Sequence, residues 1–295
     1  MKTSARIEII IVTYNSAGII RGCLESLYSK STNIVFDTTV VDNDSHDGTT
    51  DIIEQYFPDV KLIKNHTNAG FGSANNLALR ESTAEFVFLL NPDILLLNDA
   101  IEILTKFMDE HQEAAVCGCN LFSEVMEPQP CYGHFPSLNQ IFWEQLLKNI
   151  FREHYKKHFS LITKNDSSVP LVVDYVSGSN MFIRRKILDQ VGYFDEDFFL
   201  YYEETELTFR INKQGYKIFL VPKAKLIHIG GTSLNMDESK KYCIFKKSEK
   251  VFFQKAYGRR AWNIAYLFYY MNYLLKWKLT RNRKFFHFLE ALKKA

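Results

Sequence analysis

Between residues 7 and 121, short apolar runs alternate with stretches of helical periodicity, and no other feature constrains the chain as much. The runs 7–13, 34–41, 60–64, 85–90 and 114–121 read as strands, being short and rich in β-branched and aromatic residues. Between them, helices are expected around Ile19, Cys23, Leu24 and Leu27, and over 51–57, 70–80 and 100–111. Strand and helix repeated in this way require an α/β fold with a mostly parallel sheet covered on both faces. The chain has 295 residues, 46% of them hydrophobic and 24% charged, so it buries a core and is not disordered.

Five cysteines, an odd number with no CxxC spacing, fit a reducing compartment and hence a cytoplasmic location. The basic N-terminus MKTSAR precedes an apolar run too short for a signal peptide and reads as the approach to the first strand. Charge is divided unevenly. Residues 240–295 carry 15 Lys or Arg against Glu249 and Glu290, whereas residues 1–239 carry a net charge of −11. We therefore expect an α/β domain over 1–239 and a basic, aromatic, helical segment over 240–295.

Within that segment, residues 261–275 are free of charge but fall short of the roughly 20 apolar residues that a spanning helix needs. Tyr and Trp flanked by Lys and Arg favour the headgroup zone of a membrane, at the inner face of a cell membrane if the chain is cytoplasmic. Docking on the acidic body, or on a second copy as a homodimer, is the alternative. Nucleic acid is disfavoured, because no motif of that class occurs and the body is acidic.

In a sheet of this kind, ligands meet the loops that follow the strands. Those loops are polar throughout: Thr13, Tyr14 and Asn15; Asp42, Asn43 and Asp44; Asn65 to Asn68; Asn91, Pro92 and Asp93. Caps and turns use the same residue types, so the carboxylates are more telling than the amides. Neither GxGxxG after the first strand nor GxxxxGK[ST] anywhere is present, which disfavours dinucleotide and P-loop sites. A lone carboxylate such as Asp93 suits a divalent ion, Mg²⁺ or Mn²⁺, that is already carried by a diphosphate. His228 ends an apolar run before Gly230 and Gly231; it reads either as a hydrogen-bonded strand-end histidine or as a second metal ligand. Leu200, Glu204, Leu207 and Ile211 recur at helical spacing, which puts Glu204 on an apolar stripe as a general base or a paired structural acid. Glu206 and Arg210, four apart, are expected to form a surface pair.

Six segments, IIIVTYNS, VVDNDSHDGT, NHTNAGFGSANN, LLNPDI, VSGSNMFIRR and the run from Gly192 to Ser233, together resemble glycosyltransferase family 2, with the NAGFGSANN and LLNPD pair most similar to its rhamnosyltransferase-like branch. The resemblance implies a GT-A fold and an inverting transfer of a sugar from a nucleoside-diphosphate sugar, dTDP-rhamnose or a UDP-sugar, to a hydroxyl of a saccharide or lipid-linked saccharide in cell-surface polysaccharide synthesis. It implies that Thr13, Tyr14 and Asp42 hold the nucleobase and ribose with Asn43 close by, that Asn68, Gly70, Phe71 and Asn75 line the donor pocket, and that Asn15 and Asn91 also bind the donor. Asp93 and His228 would hold the metal, with one acid in the NPD segment where many members have two or three. Glu204 takes the place of the base, as Glu where Asp is commoner, while Glu203, Gly178, Ser179 and Asn180 fall on the acceptor side. The stretch 127–170 matches no motif and is expected to shape that side too. A sugar nucleotidyltransferase would use a related sheet with Asp and Mg²⁺, but near the first strand only Arg21 could serve its phosphate loop. A degenerate, non-catalytic binding protein of the same fold is disfavoured by retention of Asp42, Asp93, Glu204 and His228.

Overall fold

The computed structural model describes residues 6–148, 150–153, 168–230 and 237–294. Among them the chain divides into two compact units, one formed by 6–133, 168–196 and 203–230, the other by 134–153, 197–202 and 237–294. The second unit thus includes two segments that charge alone does not mark.

In the first unit, β1 (Ile7–Thr13), α1 (Ile20–Lys30), β2 (Asp37–Asn43), α2 (Thr49–Tyr56), β3 (Lys61–Asn65), α3 (Phe71–Glu81), β4 (Phe86–Leu90), β5 (Ile94–Leu96), α4 (Ala100–Glu110) and β6 (Ala114–Phe122) follow in order. Short strands β7 (Pro128–Gln129), β8 (Tyr132–Gly133), β9 (Leu171–Val173) and β10 (Tyr175–Val176) precede the fully buried β11 (Asn180–Arg184) and the long β12 (Lys217–His228). The sheet order is β3-β2-β1-β4-β11-β6-β12-β5. Parallel ladders join β1 to β2 and β4, β2 to β3, and β6 to β12, while β11 runs antiparallel between β4 and β6. Central strands covered on both faces must be apolar throughout, and all five residues of β4 are buried.

The second strand starts later than expected. β1 begins at Ile7 and its ladder pairs Glu8 with Asp37, so residues 34–36 have no strand to pair with; Ile34 and Phe36 pack on the core from a loop. β11 is the antiparallel insertion that the alternating pattern does not reveal. All five cysteines are free, and Cys23, Cys117, Cys119 and Cys131 are buried.

The second unit contains α5 (Leu138–Phe142), continued by a π-helical turn over Trp143–Leu147; its C-terminal part comes after α6 (Lys186–Val191) and α7 (Glu203–Lys213) of the first unit and comprises α8 (Glu238–Tyr257), α9 (Arg259–Thr280) and α10 (Arg283–Lys294). Phe198, Phe252, Phe253, Trp262 and Ala265 form its apolar interior. Inside lies an ion pair: Lys246 Nζ donates to Glu249 Oε2 at 2.6 Å and stands 3.4 Å from the centre of the Tyr269 ring. The other carboxylate oxygen accepts from the hydroxyls of Tyr202 at 3.1 Å and Tyr269 at 2.8 Å. Tyr201 (φ 69°) and Tyr202 (φ 71°) both adopt the left-handed conformation, which costs a non-glycine residue about 1–3 kcal/mol. The Tyr202–Glu249 bond, and Ser248 Oγ donating to the Leu200 carbonyl at 2.7 Å, hold that turn.

Candidate active site

The sheet reverses its order at β1, with β2 on one side and β4 on the other, so the loops after these strands converge. The register pairs Thr13 with Asp42, both buried, and the Thr13 hydroxyl donates to Asp42 Oδ1 at 2.8 Å. Asp42 Oδ2 accepts from the Ser45 amide at 3.0 Å, which curls the loop after β2 back over the strand end. Asn15 (φ 49°) accepts from the His46 amide through Oδ1 at 2.9 Å, and Ser16 N donates to Thr49 Oγ1 at 2.8 Å. Tyr14 lies half-buried between them. The loops after β1 and β2 are thus one hydrogen-bonded body with Asp42 at its base.

Asp93 and His228 are brought together by strand pairing. β5 runs antiparallel to the end of β12 with Ile94 opposite His228, and the Ile229 amide donates to the Asp93 carbonyl at 2.9 Å. His228 Nε2 lies 3.2 Å from Asp93 Oδ2. Asp93 Oδ1 is buried and has no hydrogen-bond partner. An orphaned carboxylate oxygen is costly unless a ligand meets it, and a carboxylate beside an imidazole is a donor set for a divalent ion. No group of three or more His, Cys, Asp or Glu capable of holding a metal occurs among the described residues.

Glu204 stands across the turn at residues 177–179. Ser179 O accepts from the Asn91 amide at 3.1 Å, which ties the turn to the segment leading into Asp93. A methyl group built on Gly178 would lie 3.5 Å from the Phe71 ring and 3.6 Å from Glu204 Cβ. The start of α3, the turn and Glu204 therefore lie side by side in the first unit. The expected stripe is shorter than predicted: with Tyr201 and Tyr202 left-handed, the helix starts only at Glu203, so Leu200 is off it, while Glu204, half-buried in the first turn, shares a face with the buried Leu207 and Ile211. Burial raises the Glu204 carboxyl to about 6, against the opposing pull of the backbone amides of Glu204 and Thr205. Glu203 is raised well above the carboxylate range, first by burial and then by the charge of Glu204, and its Oε2 has no partner. Glu203 packs toward α3, its Cβ 3.7 Å from where a methyl on Gly72 would lie.

Several predicted residues are engaged elsewhere. Asn43 is a brace: its Nδ2 donates to Asn68 Oδ1 at 2.9 Å and to the Gly70 carbonyl at 3.3 Å, and its Oδ1 accepts from Asn65 Nδ2 and the Ala69 amide. Asn68 Oδ1 also accepts from the Gly70 amide, and Gly70 (φ 87°) turns the chain into α3, a conformation that favours glycine. Asn180 is fully buried and spends its Oδ1 on the Cys119 amide at 2.6 Å, bracing β6 instead of facing an acceptor. Asn75 donates to the Phe71 carbonyl at 2.9 Å and leaves its buried Oδ1 without a partner. Glu206 and Arg210 do pair, at 2.8 Å, but not on the surface: Glu206 is buried, and Arg210 also reaches the carbonyls of Val191, Gly192 and Tyr193 to fasten the loop before α7.

Sequence reasoning missed Tyr175, whose hydroxyl is pushed up by burial and by the Glu204 charge, and Asp47, whose carboxylate accepts from Ala17 and Thr49. An Asp two residues before a helix is a capping signal that could have found the latter. The end of the last motif, 231–233, and residues 149 and 154–167 of the stretch 127–170 lie outside the described residues.

The description "Glycosyl transferase family 2" matches residues 8–192. The chain is 26% identical, over 83% of each protein, to N-acetylglucosaminyl-diphospho-decaprenol L-rhamnosyltransferase of Mycobacterium tuberculosis (strain ATCC 25618 / H37Rv). It is 25% identical to rhamnosyltransferase WbbL of Escherichia coli (strain K12), over 73% of this chain and 74% of that one. Among solved structures, mannosyltransferase PcManGT from Pyrobaculum calidifontis, in complex with GDP-Man and Mn²⁺, shares the fold with a TM-score of 0.57 at 14% identity, covering 99% of this chain and 85% of that one. With a matching sequence pattern over more than half its length, on a mixed sheet of GT-A type, the chain belongs to glycosyl transferase family 2.

Proposed function

We propose that the chain is an inverting hexosyl or deoxyhexosyl transferase that takes its sugar from a nucleoside-diphosphate donor, with dTDP-rhamnose the first to test, and delivers it to a hydroxyl of a saccharide or lipid-linked saccharide during cell-surface polysaccharide assembly. One observation carries this reading: Asp93, paired with His228 and holding an unpartnered oxygen, and Glu204, with its raised carboxyl, stand on either side of the 177–179 turn. The printed functions of the rhamnosyltransferase relatives support the donor and the lipid-linked acceptor.

Asp93 and His228 fit a divalent ion, and the imidazole nitrogen suits Mn²⁺ better than Mg²⁺, which prefers oxygen ligands. When bound, such an ion withdraws charge from the departing diphosphate. The remaining work falls to the protein. Asp42 and Thr13 offer polar oxygens at the nucleoside end, and α3 begins at Gly70 without a side-chain cap, so its first amides suit a diphosphate. Glu204 removes the proton of the acceptor hydroxyl as that oxygen bonds to the anomeric carbon, on the face opposite the nucleotide. The bond from that carbon to the diphosphate oxygen breaks at the same time, and the leaving group keeps the electron pair. One ionised carboxylate suffices for this displacement. Burial and the Glu204 charge disfavour an ionised Glu203, so it is not assigned as a second nucleophile.

Titration calorimetry of dTDP and UDP tests the metal site. Wild type is expected to bind more tightly with Mn²⁺ than with chelator, and Asp93→Ala to abolish the difference; equal affinity in wild type under both conditions removes the metal from this site. A panel of nucleotide sugars, read by thermal shift, is expected to single out dTDP-rhamnose, since a ligand bound only by the folded protein raises the melting temperature by mass action. No shift with any dTDP-sugar would exclude that donor class.

A further inference from the structure

The helix α9 has two unlike faces. Ala261, Trp262, Ala265, Tyr269 and Asn272 are buried within the second unit. On the opposite side, Ile264 (44% exposed), Leu267 (51%), Met271 (45%) and Leu275 (56%) open to solvent. Their spacing of three, four and four residues aligns them into a straight apolar stripe about 16 Å long. The same stripe is closed at one end by exposed Arg260 and at the other by exposed Lys278. Beyond it, Leu279 and Phe286 are exposed among Arg281, Arg283 and Lys284. No Asp or Glu occurs between Glu249 and Glu290.

Contiguous apolar surface with a charged rim marks a contact site. No helix among the described residues is long and apolar enough to cross a membrane. We propose that this face of α9 lies flat in the headgroup zone of an anionic lipid bilayer, with Ile264, Leu267, Met271 and Leu275 entering the acyl boundary and Arg260, Lys278 and the α9–α10 turn meeting lipid phosphates. Charge selects this occupant over a second copy of the chain. An isologous contact through α9 would set its cationic ends against the same cationic ends, with no acid on the helix to offset them. An anionic bilayer supplies both the apolar layer and the counter-charge. The inference deepens the reading of a lipid-linked acceptor and rests on it for its purpose, but the surface itself does not depend on the donor.

Flotation of the full chain with vesicles of phosphatidylcholine, alone or mixed with phosphatidylglycerol, is the test. Recovery is expected with the mixed vesicles and to fall as salt rises. The double variant Leu267→Ser/Met271→Ser changes only solvent-facing positions and is expected to lower partitioning about tenfold or more. Arg260→Gln and Lys278→Gln are each expected to lower it roughly fivefold. Hydrolysis of the nucleotide sugar by all these variants is expected to match wild type, showing that they fold. Absence of flotation, or equal flotation of wild type and the double variant, overturns the proposal. A dimer seen by light scattering that Leu267→Ser/Met271→Ser dissociates overturns it as well and assigns the face to a second copy. If wild type floats but hydrolyses no nucleotide sugar, the catalytic reading fails and this inference stands.

Discussion

Glu204→Gln is expected to lower the rate of sugar transfer by about 10²- to 10⁴-fold, the usual contribution of a positioned general base. Nucleotide binding is expected to survive, because Glu204 stands across the 177–179 turn from the segment that leads to Asp93. The substitution keeps the shape of the side chain and removes only its ability to take a proton. Single-turnover transfer together with titration calorimetry separates the two effects, and near-normal transfer by the variant would remove Glu204 from the role. The pH profile gives an independent check. Burial raises this carboxyl to about 6, so the protonated, inactive form persists to higher pH than for an ordinary glutamate. kcat/KM is therefore expected to be low in acid, to rise through about pH 6 and then to level off. Glu203 is also raised, first by burial and then by the Glu204 charge, but it packs toward α3, so Glu203→Gln is expected to slow transfer far less than Glu204→Gln.

In the helical unit, Lys246→Met is expected to cost about 3–5 kcal/mol of stability, because it strands a buried carboxylate. Both partners are only 4% exposed, and among the described residues Glu249 would keep the hydroxyls of Tyr202 and Tyr269. Lys246→Met/Glu249→Gln removes the charge but keeps an acceptor for those hydroxyls, and is expected to regain much of the loss. Urea denaturation followed by tryptophan fluorescence, with Trp262 and Trp277 on α9 as reporters, measures the difference. Equal losses in the single and double variants would show that the unpaired charge is not the cause.

Much of the site was legible because its residues follow strands whose apolar runs are unmistakable. Asp42 and Asp93 stand where the chain leaves β2 and β4, and a carboxylate there is visible without coordinates. His228 was legible in the same way, as the last residue of a long apolar strand. The amides were harder to assign. Asn43 and Asn180 share the residue type and setting of ligand-binding side chains, yet their hydrogen bonds are spent on the Asn65–Gly70 loop and on β6. An amide carries donors and an acceptor, and only the positions of neighbouring backbone groups decide whether they are used internally.

The amino-acid order by itself determined the strand–helix alternation, the polar strand ends and the division of charge, since each depends on local periodicity or composition. The tertiary structure alone decided that Asp93 meets His228, through the antiparallel pairing of β5 with β12, and that the helix carrying Glu204 starts only at Glu203, which leaves Leu200 off its stripe. It also decided that α9 turns one apolar face inward and leaves another uncovered. The physical reason is the same in each case: periodicity says which side chains share a face, but what covers that face depends on contacts between residues far apart in the chain.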